Sequence, residues 1–229
     1  MRNHFPSWRI ALAATAITAC TTMPATFETV DDALAPGIFF DLGGRITLPP
    51  GVTLRDVYHK GLAVTKEAEG FRGRMYNDAA KYCTIGYGHL IKLAPCNGTE
   101  PEEFVRGMTE PQGGTLLVKD MEKARLSVMT LVKVDLTDGQ YAALCDFTFN
   151  VGGGNLKTSK LLQAVIAGEL DRVPSQFRRW ALAGGKEWPG LKKRREREID
   201  LFFDGLPRPK AAPPLGEDLS PVDIRVGER

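Results

Sequence analysis

Apolar residues recur along this chain with different periods, and the changes of period divide it. Leu54, Val57, Tyr58, Leu62, Thr65 and Ala68 fall on one helical face. That spacing predicts a first helix from about Thr53, ended by Gly70 as a C-terminal glycine cap. Over residues 71–98 the helical period is lost. Gly73, Tyr76, Tyr82, Thr84, Ile85, Gly86, Tyr87 and Gly88 predict short twisted strands joined by tight turns. Helical spacing returns over 116–132. It returns again after Thr137-x-x-Gln140, a capping-box signature. That second helix carries Tyr141, Leu144, Cys145 and Thr148 and stops at Gly152-Gly153-Gly154. Shorter helices are expected over 161–167 and 175–183, and a last one from Pro189-Gly190 to about Phe203. One helix, a small sheet and then a bundle make an α+β chain. Its expected form is two-lobed, with a small β-sheet lobe and a helical-bundle lobe joined by a long helix, and a cleft between them.

Both ends fall outside this pattern. Residues 1–20 read as an export signal, since Arg2 and Arg9 accompany a short Ala-rich apolar run from Ile10 to Ala19. The run is too short for a stable membrane-spanning helix. It ends Ile17-Thr18-Ala19-Cys20, which resembles the lipobox of bacterial lipoproteins, where the cysteine is acylated. An ordinary cleaved secretory signal and a signal-arrest-release anchor are the alternatives. All three imply export, either to the periplasm, to a membrane through Cys20, or to the medium. Residues 21–51 read as a linker and 52–205 as the folded domain. Residues 206–229 hold Pro207, Pro209, Pro213, Pro214 and Pro221 among alternating charges and read as a disordered tail.

Composition narrows the chemistry. The chain has 229 residues, 43% of them hydrophobic, which suits one packed domain with tails. A net charge of +2 gives no polyanion-binding composition, and no nucleic-acid motif accompanies it. With 3 His and 4 Cys, neither Cys-x-x-Cys nor His-Glu-x-x-His occurs, and no phosphate-binding glycine loop is present. Neither a metal nor an organic cofactor is therefore expected. Carboxylates, hydroxyls or a lone cysteine must do the work.

The informative stretch is Glu69-Gly70-Phe71-Arg72, then Tyr76-Asn77-Asp78, then Thr84-Ile85-Gly86-Tyr87-Gly88-His89. One polar group ends a helix and two lie in the small sheet. Folding the sheet over the helix end would gather all three in one cleft. A carboxylate at a helix C-terminus meets the negative end of the helix dipole, and burial under Phe71 or Tyr82 also disfavours its charge. Glu69 is thus suited to act as a general acid. Asp78, in a polar turn-rich segment, should stay ionised. Two carboxyls held in different protonation states make the pair a glycoside hydrolase needs. Thr84 could hold a water against Asp78. Taken singly these residues say little, because a Glu near a helix end with an Asp nine positions on is common by chance.

Taken as one string, they resemble the phage-type lysozymes, or endolysins, of glycoside hydrolase family 24. The family pattern is Glu, eight residues, Asp, five residues, Thr, and Glu69, Asp78 and Thr84 fit both gaps. The resemblance continues through Leu136-Thr137-x-x-Gln140, Phe147-x-Phe149-Asn150-Val151-Gly152, Ala183-Gly184-Gly185-Lys186 and Pro189-Gly190-Leu191-x-x-Arg194-Arg195-x-x-Glu198. It covers about residues 53–204. It implies a lysozyme-like fold and hydrolysis of the β-1,4 bond between N-acetylmuramic acid and N-acetylglucosamine in peptidoglycan. Glu69 would be the acid, Asp78 with Thr84 would activate a water, and the anomeric configuration would invert. Asn150 and Gly152 are candidates for lining the cleft. His89 is expected to be structural, close behind the site, and Arg72 either orients a carboxylate or faces solvent. A monomer acting on glycan strands is expected. The alternatives are a lytic transglycosylase, which typically lacks the second carboxylate, and an inactive cell-wall binder. Asp78 argues against the first, and the presence of both acids argues against the second.

Cysteine placement adds one expectation. Cys83 and Cys96 bracket the segment that carries Thr84, and an exported protein permits a disulfide between them. The competing pairing, Cys20 with Cys83, would be a redox switch. Cys145, on the apolar side of its helix, is expected to be a buried free thiol. The basic run Lys192-Lys193-Arg194-Arg195-x-Arg197 reads as a solvated helix face, with attraction to anionic wall polymers as the alternative.

Overall fold

The computed structural model describes residues 48, 50–210 and 215–224. The export signal, Cys20 and nearly all of the 21–51 linker lie outside the described residues. Among the described residues no helix is long and apolar enough to cross a membrane.

Helix α1 (His59–Glu69) starts later than its apolar spacing predicts. The reason is tertiary. The Arg55 carbonyl accepts hydrogen bonds from Arg125 Nε, Arg125 Nη2 and the Tyr141 hydroxyl, so this segment is held extended against the bundle. Gly70 ends α1 as expected, at φ 70°, its N–H donating to the Lys66 carbonyl. Strands β1 (Arg72–Asn77), β2 (Cys83–Gly86) and β3 (His89–Lys92) then form an antiparallel sheet in sequence order, with Thr84 opposite Tyr76 and Leu90.

After the short α2 (Glu102–Val105), the expected single helix over 116–132 is two, α3 (Glu110–Asp120) and α4 (Glu122–Leu131), meeting at Met121. The backbone stays helical through Met121, whose N–H donates to the Leu117 carbonyl and whose carbonyl accepts from the Arg125 N–H, so the two helices follow one another as one run. Helix α3 also begins earlier than expected. Gly113 and Gly114 weaken the local helix signal. They are small because Phe71 and Lys66 pack on them: a Cβ on Gly113 would stand 2.7 Å from Phe71, and one on Gly114 3.0 Å from the Lys66 ammonium.

Helix α5 (Asp138–Val151) is the axis of the larger lobe. Thr137 accepts from the Gln140 N–H while the Gln140 side chain accepts from the Thr137 N–H, so the capping box is made. The helix is buried over nearly its whole length because α1, α4 and α9 (Pro189–Phe202) pack around it. Close approach needs small residues: a Cβ on Gly61 would stand 2.5 Å from that of Ala142. Phe147 packs edge-on against Phe177 and Trp180, with centroids 5.5 and 5.3 Å apart. Burying each such ring contributes about 1.5–3 kcal/mol.

Between α5 and α9 lie α6 (Gly153–Thr158), α7 (Lys160–Ile166), α8 (Val173–Arg178) and the strands β4 (Leu182–Ala183) and β5 (Lys186–Glu187). The helix expected to reach residue 183 thus stops at Arg178. The expected disordered tail needs a larger correction. Residues 217–224 return to the domain, and β6 (Asp223–Ile224) pairs in parallel with β4. Ile224 is only 3% exposed and joins the core. Glu217 is held by Arg172 and Gln176, and Asp218 by Lys160 and Arg179. One apolar side chain and two paired carboxylates are enough to dock a segment whose prolines and charges suggested none.

Candidate active site

Glu69 is the last residue of α1, and its side chain is 26% exposed. Its Oε1 accepts a hydrogen bond from Arg194 Nη1 at 2.7 Å. Its Oε2 faces Gly88, in the turn between β2 and β3, where a Cβ would stand 3.8 Å away. The end of α1 and the tip of the hairpin therefore meet at this carboxylate.

Asp78 follows β1 and is half-buried. The Tyr82 backbone joins it to Thr84. Asp78 Oδ1 accepts from the Tyr82 N–H at 2.9 Å, and the Tyr82 carbonyl accepts both the Asp78 N–H at 2.9 Å and the Thr84 hydroxyl at 3.1 Å. Thr84 is only 3% exposed. Thr84, on β2, thus shares the β2–β3 hairpin with the tip that faces Glu69, and Asp78, in the turn between β1 and β2, is joined to Thr84 through the Tyr82 backbone.

The remaining expected residues are placed as follows. His89 Nδ1 lies 2.9 Å from Asp120 Oδ1, tying β3 to the end of α3. Tyr87, beside it, donates its hydroxyl to Glu110, and burial pushes that phenol up to about 12. Arg72 lies over the Tyr76 ring, 4.3 Å from its centroid, rather than on a carboxylate. Asn150 accepts from Arg195 Nη2 with its side-chain oxygen, so that oxygen is committed to the bundle. Gly152 caps α5 at φ 89°.

Cys83 and Cys96 form a disulfide, and Cys145 is a buried free thiol. The bridge occupies Cys83, so a Cys20–Cys83 bond is not part of this state. Cys83 is fully buried and adjoins Thr84, so the covalent bond sits one residue from the site. Cys83, Cys96 and Glu100 are also near enough to share a metal ion, but both sulfurs are bonded to each other and Glu100 is paired with Lys92. A separate cavity of 290 Å³ lies between α8, β4 and the C-terminal segment, lined in part by Arg178, Arg179 and Leu219. It is built from elements that carry none of Glu69, Asp78 and Thr84.

Sequence reasoning missed the charges behind Glu69. The basic run of α9 is not simply a solvated face: Arg194 is 6% exposed and Arg195 is fully buried. Arg194 Nε and Nη2 grip both oxygens of Asp146, each at 2.9 Å. Burial alone would raise the Asp146 carboxyl, but the Arg194 guanidinium outweighs it and holds the group below the usual carboxylate range. Glu198, also fully buried, meets Arg195 Nη2 at 3.1 Å. Burial pushes its carboxyl well above the ordinary range. The available signal was Glu198 itself, at i,i+3 and i,i+4 from the two arginines, which marks a paired face.

Comparison with known proteins agrees with this architecture. The phage lysozyme family model matches residues 66–198, more than half of the chain. An endolysin of Bacillus phage B103 is 37% identical over 153 residues, which is 66% of this chain and 55% of that protein. The chain thus spans about half the length of that relative. A SAR-endolysin of bacteriophage PS119 is also 37% identical, over 60% of this chain and 77% of that protein. Among solved structures, an endolysin from Escherichia coli O157:H7 phage FAHEc1 is similar at 29% identity and a TM-score of 0.57, covering 67% of this chain and 97% of that one. The muramidase domain of SpmX from Asticaccaulis excentricus is similar at 26% identity and a TM-score of 0.55, covering 65% of this chain and 98% of that domain. The helices and small antiparallel sheet of this chain make the α+β lysozyme fold that these similarities point to. The chain belongs to the phage lysozyme family.

Proposed function

We propose that this chain is an N-acetylmuramidase that cleaves the β-1,4 bond between N-acetylmuramic acid and N-acetylglucosamine in peptidoglycan. The observation that carries this reading is that Glu69 meets the tip of the β2–β3 hairpin, whose strand β2 carries Thr84, with Asp78 joined to Thr84 through the Tyr82 backbone. Glu69, partly open to solvent, protonates the glycosidic oxygen. Asp78 takes a proton from a water that Thr84 helps to hold, and that water attacks the anomeric carbon from the opposite face. Such a direct attack inverts the anomeric configuration. It calls for carboxyls roughly 6.5–9.5 Å apart, with room for the water between them.

No metal or organic cofactor takes part. The partners are glycan strands, and the chain works as a monomer outside the cytoplasm. Nucleic acid is no partner. Acylated Cys20 would tether it to a membrane, which labelling with radioactive palmitate would reveal.

The test is Glu69→Gln. Reducing ends released from purified sacculi should vanish while the circular dichroism spectrum is unchanged, and full activity in this variant overturns the assignment. Product analysis separates the alternatives. Reducing N-acetylmuramic acid ends support hydrolysis, whereas anhydro ends mark a lytic transglycosylase. Absence of both products from the native protein marks a wall binder.

A further inference from the structure

Behind Glu69 lies a buried group of charges that the proposed mechanism does not use. Arg194 has three edges to offer. Nε and Nη2 donate to the Asp146 carboxylate, Nη2 also reaches the Asp146 carbonyl at 3.4 Å, and Nη1 donates to Glu69. Asp146 is fully buried on α5, and Arg194 is nearly so on α9. A fork held at two points has one direction left for its third donor. The orientation of the Glu69 carboxyl is therefore fixed by a residue that does not touch it.

Charge matters as much as direction. A guanidinium alone beside Glu69 would favour the carboxylate, which is the wrong form for an acid. Asp146, gripped at 2.9 Å twice, offsets that cation at close range in a dry interior. The other charged groups near the pair are accounted for. Glu198 and Arg195, on α9, face each other at 3.1 Å. Glu198 also lies 3.7 Å from Arg194 Nε, but burial pushes its carboxyl well above the ordinary range, so the doubly hydrogen-bonded Asp146 supplies the stronger counter-charge. From α1, Glu67 is turned to Lys193 and Arg197, and Lys66 lies over the Tyr87 ring. From the hairpin, Gly88 presents only backbone to Glu69.

We propose that Asp146 is a positioning residue of the reaction: it aims Arg194 at Glu69 and offsets the guanidinium charge there. This rests on the assignment of Glu69 as the acid. The sign follows directly. Without the Asp146 charge, the full field of Arg194 reaches Glu69, and the acid form is lost at lower pH. Without Arg194, the acid form persists to higher pH.

The test is the pH profile of reducing-end release by folded, purified protein. Asp146→Asn should move the alkaline limb down by about one pH unit, a tenfold change at a fixed pH on that limb, with KM little altered. Arg194→Gln should move the same limb up. Opposite shifts are not what simple loss of stability produces. Equal loss of activity at every pH in Asp146→Asn, or an unmoved limb in Arg194→Gln, overturns the proposal. If Asp146→Asn does not fold, Asp146→Ser takes its place, with the same downward shift expected and an unmoved limb overturning the proposal. An active Glu69→Gln variant overturns the acid assignment itself. An inactive one combined with unmoved limbs overturns only the role of Asp146.

Discussion

Gly88 stands against Glu69: a Cβ built on this glycine would be 3.8 Å from Glu69 Oε2, and its φ is 87°. The space admits a methyl group, but the backbone conformation disfavours one. Gly88→Ala therefore tests the turn rather than the cleft volume. We expect a loss of about 1–2 kcal/mol in urea unfolding, from forcing an L side chain into the left-handed region. A larger loss of activity per folded molecule should accompany it, because a turn that relaxes moves the tip away from Glu69. A variant with unchanged stability and activity would show that the turn has no such role.

The Cys83–Cys96 bridge joins residues 13 positions apart in sequence, beside Thr84. Replacing both cysteines with serine should cost about 3 kcal/mol by the loop-closure argument. Dithiothreitol should lower the melting temperature of the native protein and leave that of the double-serine variant unmoved. Activity should fall at temperatures where the variant is still folded, since β2 carries Thr84. Equal melting with and without reductant would remove the bridge from the stability of the protein.

Much of this architecture is legible in the sequence. Gly70, the Thr137–Gln140 box and the glycine-rich hairpin are local signals, and local chemistry settles them. The start of α1 was not legible, because Arg125 and Tyr141, 70 and 86 residues away, capture the Arg55 carbonyl. Nor was the start of α3, whose glycines are weak helix formers kept small by Phe71 and Lys66. The site divided in the same way. Glu69, Asp78 and Thr84 sit in a short stretch with a telling spacing. Arg194 sits 125 residues from Glu69 in a run of basic residues that looks solvated, and only packing against Asp146 distinguishes it from Lys193.

Glu100 predicts how the sheet responds to acid. Lys92 Nζ lies 2.6 Å from its Oε1, and the N–H groups of Asn97 and Gly98 donate to its two oxygens at 2.8 Å. The Lys92 ammonium, then the Asn97 N–H, hold its carboxyl down to about 2. An unfolded Glu titrates near about 4.3. A lowered value means stability that is fully present above about 4.3 and lost as pH falls through about 2. Glu100→Gln should therefore melt lower than the native protein at pH 6, with the gap narrowing steadily as pH falls toward 2. A gap that is constant across this window would show that the Glu100 charge does not stabilise the fold.

The C-terminal segment lies beyond the family match at residue 198, yet it is joined to the core. Ile224 is 3% exposed, and the Glu217 side chain, 5% exposed, is held by Arg172. Ile224→Ala should cost about 2–4 kcal/mol, as for a large aliphatic side chain removed from a packed interior. Glu217→Ala should also destabilise, because it leaves Arg172 with only Glu169 as a carboxylate partner. Removing residues 206–229 should combine both losses and uncover the β4 edge. Thermal melts of the three variants beside the native protein test this order, with truncation the least stable. Because β4 and β5 lead directly into α9, the hydrogen bond from Arg194 to Glu69 should loosen first as the truncated protein is warmed. Activity should then be lost several degrees below the melting temperature of the truncated form. Coincidence of inactivation and melting would show that the segment supports the whole domain rather than the path from β4 to the site.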